Sequence, residues 1–376
     1  MQALTLFALS TVGVAAVQLW RKAPAAATAA KTGKELKYIP FDLKELPEST
    51  VVVDCTHPTC RQLTHHLKLP GQRSLHLDTV SLGADSSTEQ VLLAQQKGAL
   101  EPFEHVSTNH FDVDSFLSVW SACNPQMALG HADVIREAAR IGDFRELWLN
   151  DTNQEINAVS FKALALVCWL NSEERRLFYK SFESAISRAM GEEESTAKWE
   201  YFLPLFANVL ADPMNFEAQW KEEYSRVLQE YNQLHSPAPM GSRTQHFPDI
   251  SLVCVTGDEP MHYYSLFSPS RGYDIVLSLW AGNRYEMEIK YTTYITLFSR
   301  PSLPRVEIEE LAKVLNSMET VMQGGDVHWF ANRIVDSGPL LRLDSTSKHL
   351  TKAERYGHPY ERPIFSSSIP PDVFKV

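Results

Sequence analysis

The stretch VSTNHFDVDSFLSVW, at 106–120, holds a histidine and two carboxylates spaced two residues apart: His110, Asp112 and Asp114. A short apolar run precedes them, and a helix-like pattern follows at once. An extended or turning backbone directs residues two apart to one side, so we expect these side chains to share a site. Carboxylates that are crowded together repel each other unless a cation lies between them. The spacing therefore predicts a divalent metal site for Mn²⁺ or Mg²⁺, which prefer oxygen ligands, and Mn²⁺ also accepts imidazole.

Helix capping is a second interpretation of the same residues. Asp114 and Ser115 at a helix start would serve as N-cap residues, and Asp112 would interact favourably with the helix dipole. His110 would then form only a loop hydrogen bond. This alternative describes a non-catalytic binding or scaffold protein whose polar residues are caps and loop contacts.

Further polar residues follow other candidate strands. Asp54 ends the run STVVVD, and Asp78 ends RSLHLD. Ligands of parallel sheets lie beyond the carboxyl ends of the strands, so we expect Asp54 and Asp78 to complete or bridge the metal site. For proton transfer we expect His57, or one of His65 and His66 in LTHHLKLP.

The cysteines indicate a reducing compartment. The chain has five, which is an odd number and too few for a disulfide framework in a protein of this length. Cys55 and Cys60 bracket His57, a pattern that suggests zinc, but no second Cys/His pair follows at a usual zinc spacing. Loop and core positions are the alternative for these two cysteines.

The N-terminus predicts a membrane anchor. Ala3–Trp20 contains no charged residue, and Arg21 and Lys22 follow it. That length is near the lower limit for a helix that crosses a bilayer, and the positions of the positive charges place the body of the protein in the cytosol. A cleaved secretory signal and an organelle-targeting segment are the alternatives.

The pattern of the remaining chain predicts an α/β fold, α+β overall. Residues 1–35 form the anchor and linker, and 36–150 form a parallel or mixed sheet with helices that carries the His/Asp motif. A helical section follows at 151–240. Residues 241–345 form an antiparallel sheet plus a helix, and 346–376 form an irregular tail.

Charge and missing motifs exclude several function classes. The formal net charge is -11, from 46 acidic and 35 basic residues, which argues against general binding of a nucleic-acid backbone. The sequence has no Walker A loop, no Gly-x-Gly-x-x-Gly after a strand, no Gly-x-Ser-x-Gly and no His-Glu-x-x-His. We therefore expect a small phosphorylated or anionic substrate, together with the membrane, as partners.

The segment HFDVDSFLSVW resembles the first motif of the DHH phosphoesterase superfamily, in which a strand ends in His/Asp-x-Asp-x-Asp-Gly/Ala before a helix. The resemblance implies that Asp112 and Asp114 bind Mn²⁺ and that the reaction is hydrolysis of phosphodiesters or phosphoanhydrides. The likeness covers about a dozen residues, and the Asp-His-His triplet of that superfamily is missing. Its closest substitute, VVVDCTH, lies before the motif rather than after it.

A broader resemblance covers nearly the whole chain after the anchor. Segments such as VVVDCTH, LTHHLKLP, ALGHADVIREAARIGDF and VHWFAN are similar to an uncharacterised family of bacteria and some algae and plants, known only as a domain of unknown function. That family usually has glycine at the position of Ser115. The likeness indicates which segments belong together and implies no reaction.

Overall fold

The structure is a computed structural model and describes residues 33–66, 77, 83–149, 154–179, 192–236, 243–290, 295–300, 306–319, 327–331, 338–345 and 363–374. The chain divides into two compact units. The first comprises Met1–Phe178, Arg188–Ser225 and Thr296–Ser299, and the second comprises Tyr179–Ser187, Arg226–Ile295 and Arg300–Val376. Each combines helices with a sheet, which confirms the predicted α/β fold class.

The first unit contains a parallel sheet. Its described strands are β1 (Lys37–Tyr38), β2 (Thr50–Val53), β3 (Arg61–Leu63) and β4 (His105–Ser107). They lie in the order β1-β4-β2-β3, and every pairing is parallel. All four residues of β2 are buried, as expected of a β-branched strand in the middle of a parallel sheet. The carboxyl ends of β4, β2 and β3 consequently meet at one edge.

The first unit also contains helices, the last of which continues into the second unit at Arg226. In chain order they are α1 (Ser87–Lys97), α2 (Val113–Cys123), α3 (Pro125–Gly130), α4 (Ala132–Phe144), α5 (Gln154–Glu174), α6 (Glu192–Ala211) and α7 (Glu217–His235). Ser86 caps α1 by accepting a hydrogen bond from the Glu89 amide, and Gly98 ends that helix with a φ of 69°. The predicted helical section corresponds to α5, α6 and α7.

Helices α2 and α4 pack closely because of one glycine. A Cβ atom at Gly142 would lie 2.3 Å from the Cβ of Val113, which is closer than two non-bonded carbon atoms can approach. Glycine therefore lets the last turn of α4 approach the first turn of α2. That approach brings Asp143 toward the residues at the start of α2.

Aromatic rings form the core between α2, α5 and α6. Phe116 lies 5.2 Å from Phe206 and stacks on Trp199 at 5.9 Å between ring centroids. Trp169 contacts Phe202 edge-on at 5.4 Å. Aromatic rings at these separations attract each other in addition to burying apolar surface. They therefore fix α2 against its neighbours.

The second unit is built on a mixed sheet in the order β5-β6-β7-β8-β10-β9. Its described elements are β5 (Thr244–Phe247), β6 (Leu252–Gly257), α8 (Tyr263–Phe267), β7 (Ile275–Trp280), β8 (Arg284–Ile289), α9 (Glu309–Met318), β9 (Val327–Ala331), β10 (Leu340–Ser345) and α10 (Pro371–Phe374). Strands β6 and β7 are parallel, and the other pairings are antiparallel.

Alternate residues of β6 enter two different cores, as the period of a strand requires. Leu252 and Cys254 pack in the cluster that contains Leu315 of α9. Val253 and Val255 pack in the other cluster, which includes residues of α8. The sheet of this unit is therefore covered on both faces.

Two predictions fall on residues that the structure leaves undescribed. Asp78 and the predicted anchor at Ala3–Trp20 both lie outside the described residues. Among the residues that are described, no helix has the length and apolar character needed to cross a bilayer.

Candidate metal centre

Three neighbouring strands end at one cluster of histidines and aspartates. Asp54 follows β2 directly, and His65 and His66 come two and three residues after the end of β3. The loop after β4 carries His110 and Asp112. These residues lie beyond the carboxyl ends of parallel strands, where the ligands of such sheets bind.

Asp54 is the centre of the cluster. Its Oδ1 lies 3.5 Å from His65 Nε2 and 3.5 Å from His66 Nε2, while its Oδ2 lies 3.3 Å from His110 Nε2. His110 Nε2 also lies 3.4 Å from Asp112 Oδ2. The backbone of Asp54 has a φ of 52°, a left-handed conformation that aspartate tolerates better than most residues. The two carboxylate oxygens of Asp54 thus face two different sets of nitrogen atoms.

A deeper group forms on the other side of His65. Its Nε2 lies 3.9 Å from Asp114 Oδ2 and 3.6 Å from Asp143 Oδ2. The cluster therefore consists of three overlapping sets, Asp54/His65/His66, Asp54/His110/Asp112 and His65/Asp114/Asp143, each with its ligand atoms within 4.8 Å of one another. Asp54 and His65 each belong to two sets, so a single connected centre results.

The imidazole of His65 is oriented as a ligand would be. Its Nδ1 lies 2.8 Å from the Asp85 carbonyl oxygen, so Nδ1 carries the proton and donates it. Nε2 then presents a lone pair to the cluster, and this buried atom has no hydrogen-bond partner among the described residues. Asp143 Oδ2 is also buried and without a hydrogen-bond partner. Metal-binding histidines commonly donate their second ring N–H to a carbonyl or carboxylate in this way.

The first turn of α1 supports the buried aspartates. The amides of Ser87 and Thr88 donate to the two carboxylate oxygens of Asp114 at 2.8 and 3.0 Å. The Ser87 hydroxyl donates to Asp54 Oδ1 at 2.7 Å. The two amides are free N–H groups of a helix N-terminus and fix the fully buried Asp114, whereas the Ser87 hydroxyl fixes Asp54.

Asp112, rather than the expected Asp114 and Ser115, is the N-cap residue of α2, and it also belongs to the cluster. Its Oδ1 accepts from the Ser115 amide at 2.9 Å, and the Ser115 hydroxyl accepts from the Asp112 amide at 2.8 Å, which forms a capping box. Its Oδ2 faces His110 instead. Capping and a place in the cluster are therefore compatible, because each uses a different oxygen atom.

The surroundings of the cluster shift the pKa values of its carboxyl groups in opposite directions. Burial alone would raise the pKa of Asp54, but His110 and His66 hold it well below its usual range. Burial and the nearby charge of Asp54 raise the pKa of Asp114 well above its usual range, and burial with the charge of Asp114 does the same for Asp143. Burial lowers the pKa of His65 to about 4, against the charge of Asp54, so this imidazole is neutral near pH 7. His65 therefore supplies no positive charge to the deep carboxyl groups of Asp114 and Asp143.

Phe111 anchors the loop between His110 and Asp112. Its ring lies 5.1 Å from both Trp199 and Phe202 of α6, measured between ring centroids. The Lys198 ammonium lies 5.4 Å from the same centroid. These contacts hold Phe111 toward α6 and explain how the flanking polar residues are held outward.

His57 lies outside the three sets. Its Nδ1 accepts from the Cys60 amide at 3.1 Å, and its Nε2 lies 3.1 Å from the Asp42 carbonyl oxygen. Both ring nitrogens are therefore used within the loop, and its role in proton transfer stays a prediction. Cys55 and Cys60 pack with Val52 in a small apolar cluster, and burial raises the pKa of the Cys55 thiol to about 11.

Two residues of the site were missed from the sequence. Asp143 lies in the last turn of α4, and its Oδ2 lies 3.6 Å from His65 Nε2. Asp85, whose carbonyl orients His65, lies in a segment without a recognisable motif. The Gly142-Asp143 pair was the available signal, because a glycine inside a helix often marks a close approach between elements.

One family model matches residues 34–376 and is described as a family of unknown function (DUF6687). The chain belongs to this family. DUF6687 accounts for the broad resemblance noted in the sequence, and it carries no assigned reaction. No curated protein and no solved structure matches the chain, so the DHH resemblance stays a prediction.

Proposed function

We propose that this member of DUF6687 is a metal-dependent hydrolase of phosphate esters. The observation that supports it most is the lone pair of His65 Nε2, which is buried, without a hydrogen-bond partner, and directed at Asp54, Asp114 and Asp143. A buried polar atom of this kind costs free energy unless something binds it. A divalent cation would bind it and would also offset the charge of the buried carboxylates.

The ligand set favours Mn²⁺ over Mg²⁺. Carboxylate oxygens suit both ions, but imidazole nitrogens suit transition metals, and the three sets contain His65, His66 and His110. Two ligands at about 2.1 Å from an ion and at about 90° to each other lie about 3.0 Å apart. The nitrogen–oxygen distances of 3.3 to 3.5 Å around Asp54 need to shorten only slightly to reach that geometry.

The carboxylate of Asp54 suits a bridging role between two cations. Its Oδ1 faces His65 and His66, and its Oδ2 faces His110. Carboxylates that present their oxygens to separate ligand sets occur in two-metal hydrolases. We infer that Asp54, His110 and Asp112 would hold one cation, and that Asp54 and His65, with Asp114 or Asp143, would hold a second, deeper one.

A bound divalent cation supplies Lewis acidity, which polarises a phosphoryl oxygen and makes a water molecule a stronger acid. The residues of the chain would then orient substrate and water. His66, with a side chain 20% exposed and beside Asp54 Oδ1, is placed to exchange a proton between the site and solvent. The half-exposed Asp112 and His110 mark the side from which a substrate would enter.

We also propose that the uncharged segment Ala3–Trp20 tethers the protein to a membrane, with its body in the cytosol. The expected partners are then that membrane and a small phosphorylated or anionic substrate. Release of the full chain from isolated membranes by high salt alone would contradict the tether, because a spanning helix is removed only by detergent.

Hydrolysis of bis(p-nitrophenyl) phosphate and of p-nitrophenyl phosphate by the full chain tests the reaction. With Mn²⁺ we expect turnover of at least one compound, lost with a chelator and in Asp54→Asn. Asp133→Asn changes an aspartate on α4 with a side chain 83% exposed, and it should retain full activity. Tight Mn²⁺ binding without turnover of any phosphate ester would favour the alternative, a non-catalytic binding or scaffold protein.

A further inference from the structure

The outer ligand set of the cluster consists of Asp54, His110 and Asp112, and His110 is its member in a loop. Asp54 accepts from the Ser87 hydroxyl at 2.7 Å, and Asp112 is fixed by its capping box with Ser115. Both of these contacts are made at the start of a helix. His110 lies between β4 and α2, and its side chain is 37% exposed. Whatever fixes this imidazole therefore decides whether the outer set is complete.

Asn109 makes the contact that fixes the His110 ring. Its Oδ1 lies 2.7 Å from His110 Nδ1, so Nδ1 carries a proton and donates it to the amide oxygen. On the far side of the ring, Nε2 lies 3.3 Å from Asp54 Oδ2 and 3.4 Å from Asp112 Oδ2. Because one proton is held at Nδ1, the imidazole can present the lone pair of Nε2 to a cation bound by those two carboxylates.

The arrangement matches the one at His65 in the deeper part of the cluster. There Nδ1 lies 2.8 Å from the Asp85 carbonyl oxygen, and Nε2 faces Asp54. Two histidines thus have Nδ1 bound to an oxygen acceptor and Nε2 directed at the same carboxylate. Metal-binding histidines typically have such an acceptor, because it fixes the tautomer and the orientation of the ring. The acceptor for His65 belongs to the backbone, whereas the acceptor for His110 is a side chain that a substitution can remove.

The backbone of Asn109 is held beside the cluster by Cys55, the residue after Asp54. The Asn109 backbone N–H donates to the Cys55 sulfur, and the Thr108 hydroxyl donates to the same atom at 3.9 Å. Cys55 is buried and packs against Val52 of β2. The loop after β4 is therefore bound to the end of β2, and the Asn109 side chain reaches His110 from a fixed backbone.

We propose that Asn109 is a positioning residue, and that its contact with His110 gives the outer set its preference for Mn²⁺ over Mg²⁺. This inference rests on the metal centre of the proposed function and deepens it, because it names what selects the cation. Without the Oδ1 acceptor, the ring can turn or carry its proton on Nε2, and either change removes the nitrogen ligand. The ligands that remain are carboxylates, which suit Mn²⁺ and Mg²⁺ alike.

Calorimetry of Mn²⁺ and Mg²⁺ binding to the full chain tests this proposal. Asn109→Leu keeps the approximate size of the side chain and removes the acceptor, so we expect about tenfold weaker binding of Mn²⁺ and a much smaller change for Mg²⁺. Asn109→Asp offers a carboxylate oxygen to the same Nδ1–H and should keep the preference. A residue that only supported the loop would affect the binding of both cations equally.

A double variant tests whether Asn109 acts through His110. In a His110→Ala chain, Asn109→Leu should weaken Mn²⁺ binding no further, because the group that Asn109 positions is already absent. Asn215→Leu is the matched control, since it changes an exposed asparagine of the 3₁₀ helix Pro213–Phe216. This control should bind both cations as the unaltered chain does.

Selective loss of Mn²⁺ affinity in Asn109→Leu, with the preference kept in Asn109→Asp, would support the proposal. An unchanged ratio of Mn²⁺ to Mg²⁺ affinity in Asn109→Leu, or a further loss of Mn²⁺ affinity in the double variant, would overturn this inference and leave the metal centre standing. Absence of Mn²⁺ binding by the unaltered chain would instead overturn the metal centre and this inference together.

Discussion

At the scale of the residue, the candidate centre buries more carboxyl groups than a metal-free fold needs. Asp114 has its carboxylate bound by two helix amides, but Asp143 Oδ2 is buried without a hydrogen-bond partner. Side chains kept in such positions commonly serve function at the expense of stability. Removal of such a carboxyl group should therefore raise stability and weaken metal binding, so a single substitution can distinguish a functional role from a structural one.

Asp143→Asn should stabilise the metal-free protein and weaken its binding of Mn²⁺. At pH 7 the amide relieves the cost of a carboxyl group beside Asp114, so we expect the free energy of unfolding to rise by about 0.5–2 kcal/mol. Loss of an anionic ligand should weaken Mn²⁺ binding at least about tenfold. Urea unfolding with a chelator and calorimetry measure the two quantities. A variant that is less stable and binds Mn²⁺ normally would assign Asp143 a structural role.

The structure brings together residues that local sequence patterns single out with residues that such patterns do not. His110, Asp112 and Asp114 share one short stretch, so their spacing revealed them. Asp54 was found because it ends a run of valines, and the structure places it beside both His65 and His110. Residues whose role depends on a distant contact leave no local pattern, and Asp85 is of that kind.

At the scale of the element, the carboxyl ends of three parallel strands and the start of α1 define the centre. Those strands were predictable, because buried strands of a parallel sheet are short apolar runs. The packing of α4 against α2 was not, since it depends on the absence of a side chain at Gly142. The site therefore requires a short distance between α2 and α4, which the spacing of apolar residues in the sequence does not predict.

Gly142→Ala should destabilise the fold and disturb the centre together. The added methyl group overlaps Val113, and overpacking of this kind costs about 1–3 kcal/mol. Because Asp143 and Asp112 flank the two contacting residues, Mn²⁺ binding should weaken as well. Gly130→Ala at the end of α3 is the matched control, since nothing lies within 4 Å of its added atom. Thermal unfolding that is equally affected by both substitutions would contradict this account of the α2–α4 contact.

Glu319, the residue after α9, makes a pH-dependent contribution to the stability of the second unit. Burial would raise the pKa of Glu319, but hydrogen bonds from the Ser368 amide, the Ser367 hydroxyl and the Trp329 indole keep it lowered. A lowered pKa in the folded state means that the charged form stabilises the fold. That stabilisation is present above the pKa of the unfolded chain and disappears as the pH falls through the folded pKa.

Glu319→Gln should therefore lower stability near pH 7, by about 2 kcal/mol for bonds to a charged acceptor. The difference from the unaltered chain should shrink as the pH falls below 4.5, the ordinary value for glutamate. Glu310→Gln on α9, where the side chain is 82% exposed, is the control and should show little difference at either pH. Urea unfolding at pH 7 and below pH 4.5 measures this, and a difference independent of pH would show that the charge of Glu319 is not involved.

At the scale of the whole molecule, the chain combines a unit with the His/Asp centre and a second unit with its own mixed sheet and two apolar clusters. The α/β class and the order of its sections followed from apolar periodicity. The parallel pairing of β6 and β7 did not, because strand direction depends on how the intervening chain returns.

Mn²⁺ should protect the first unit selectively against hydrogen exchange. At a concentration about one hundred times its dissociation constant, a bound ion stabilises the folded site by about 2.7 kcal/mol, equivalent to about hundredfold slower exchange through openings that disrupt it. Peptides from 50–66 and 105–115 should slow, whereas peptides from β6, β7 and β8 should change little. Unaltered exchange of the 50–66 and 105–115 peptides would contradict binding at the cluster.

The central claim, that the His/Asp cluster binds a divalent cation, is tested most directly by calorimetry of Mn²⁺ binding to the full chain. Asp54→Asn is the decisive variant, because asparagine keeps the size of the side chain and tolerates the left-handed backbone at this position. We predict micromolar or tighter binding by the unaltered chain and by Asp133→Asn, and a loss of at least about tenfold in Asp54→Asn. Equal affinity in all three proteins, or no binding by the unaltered chain, would contradict the account.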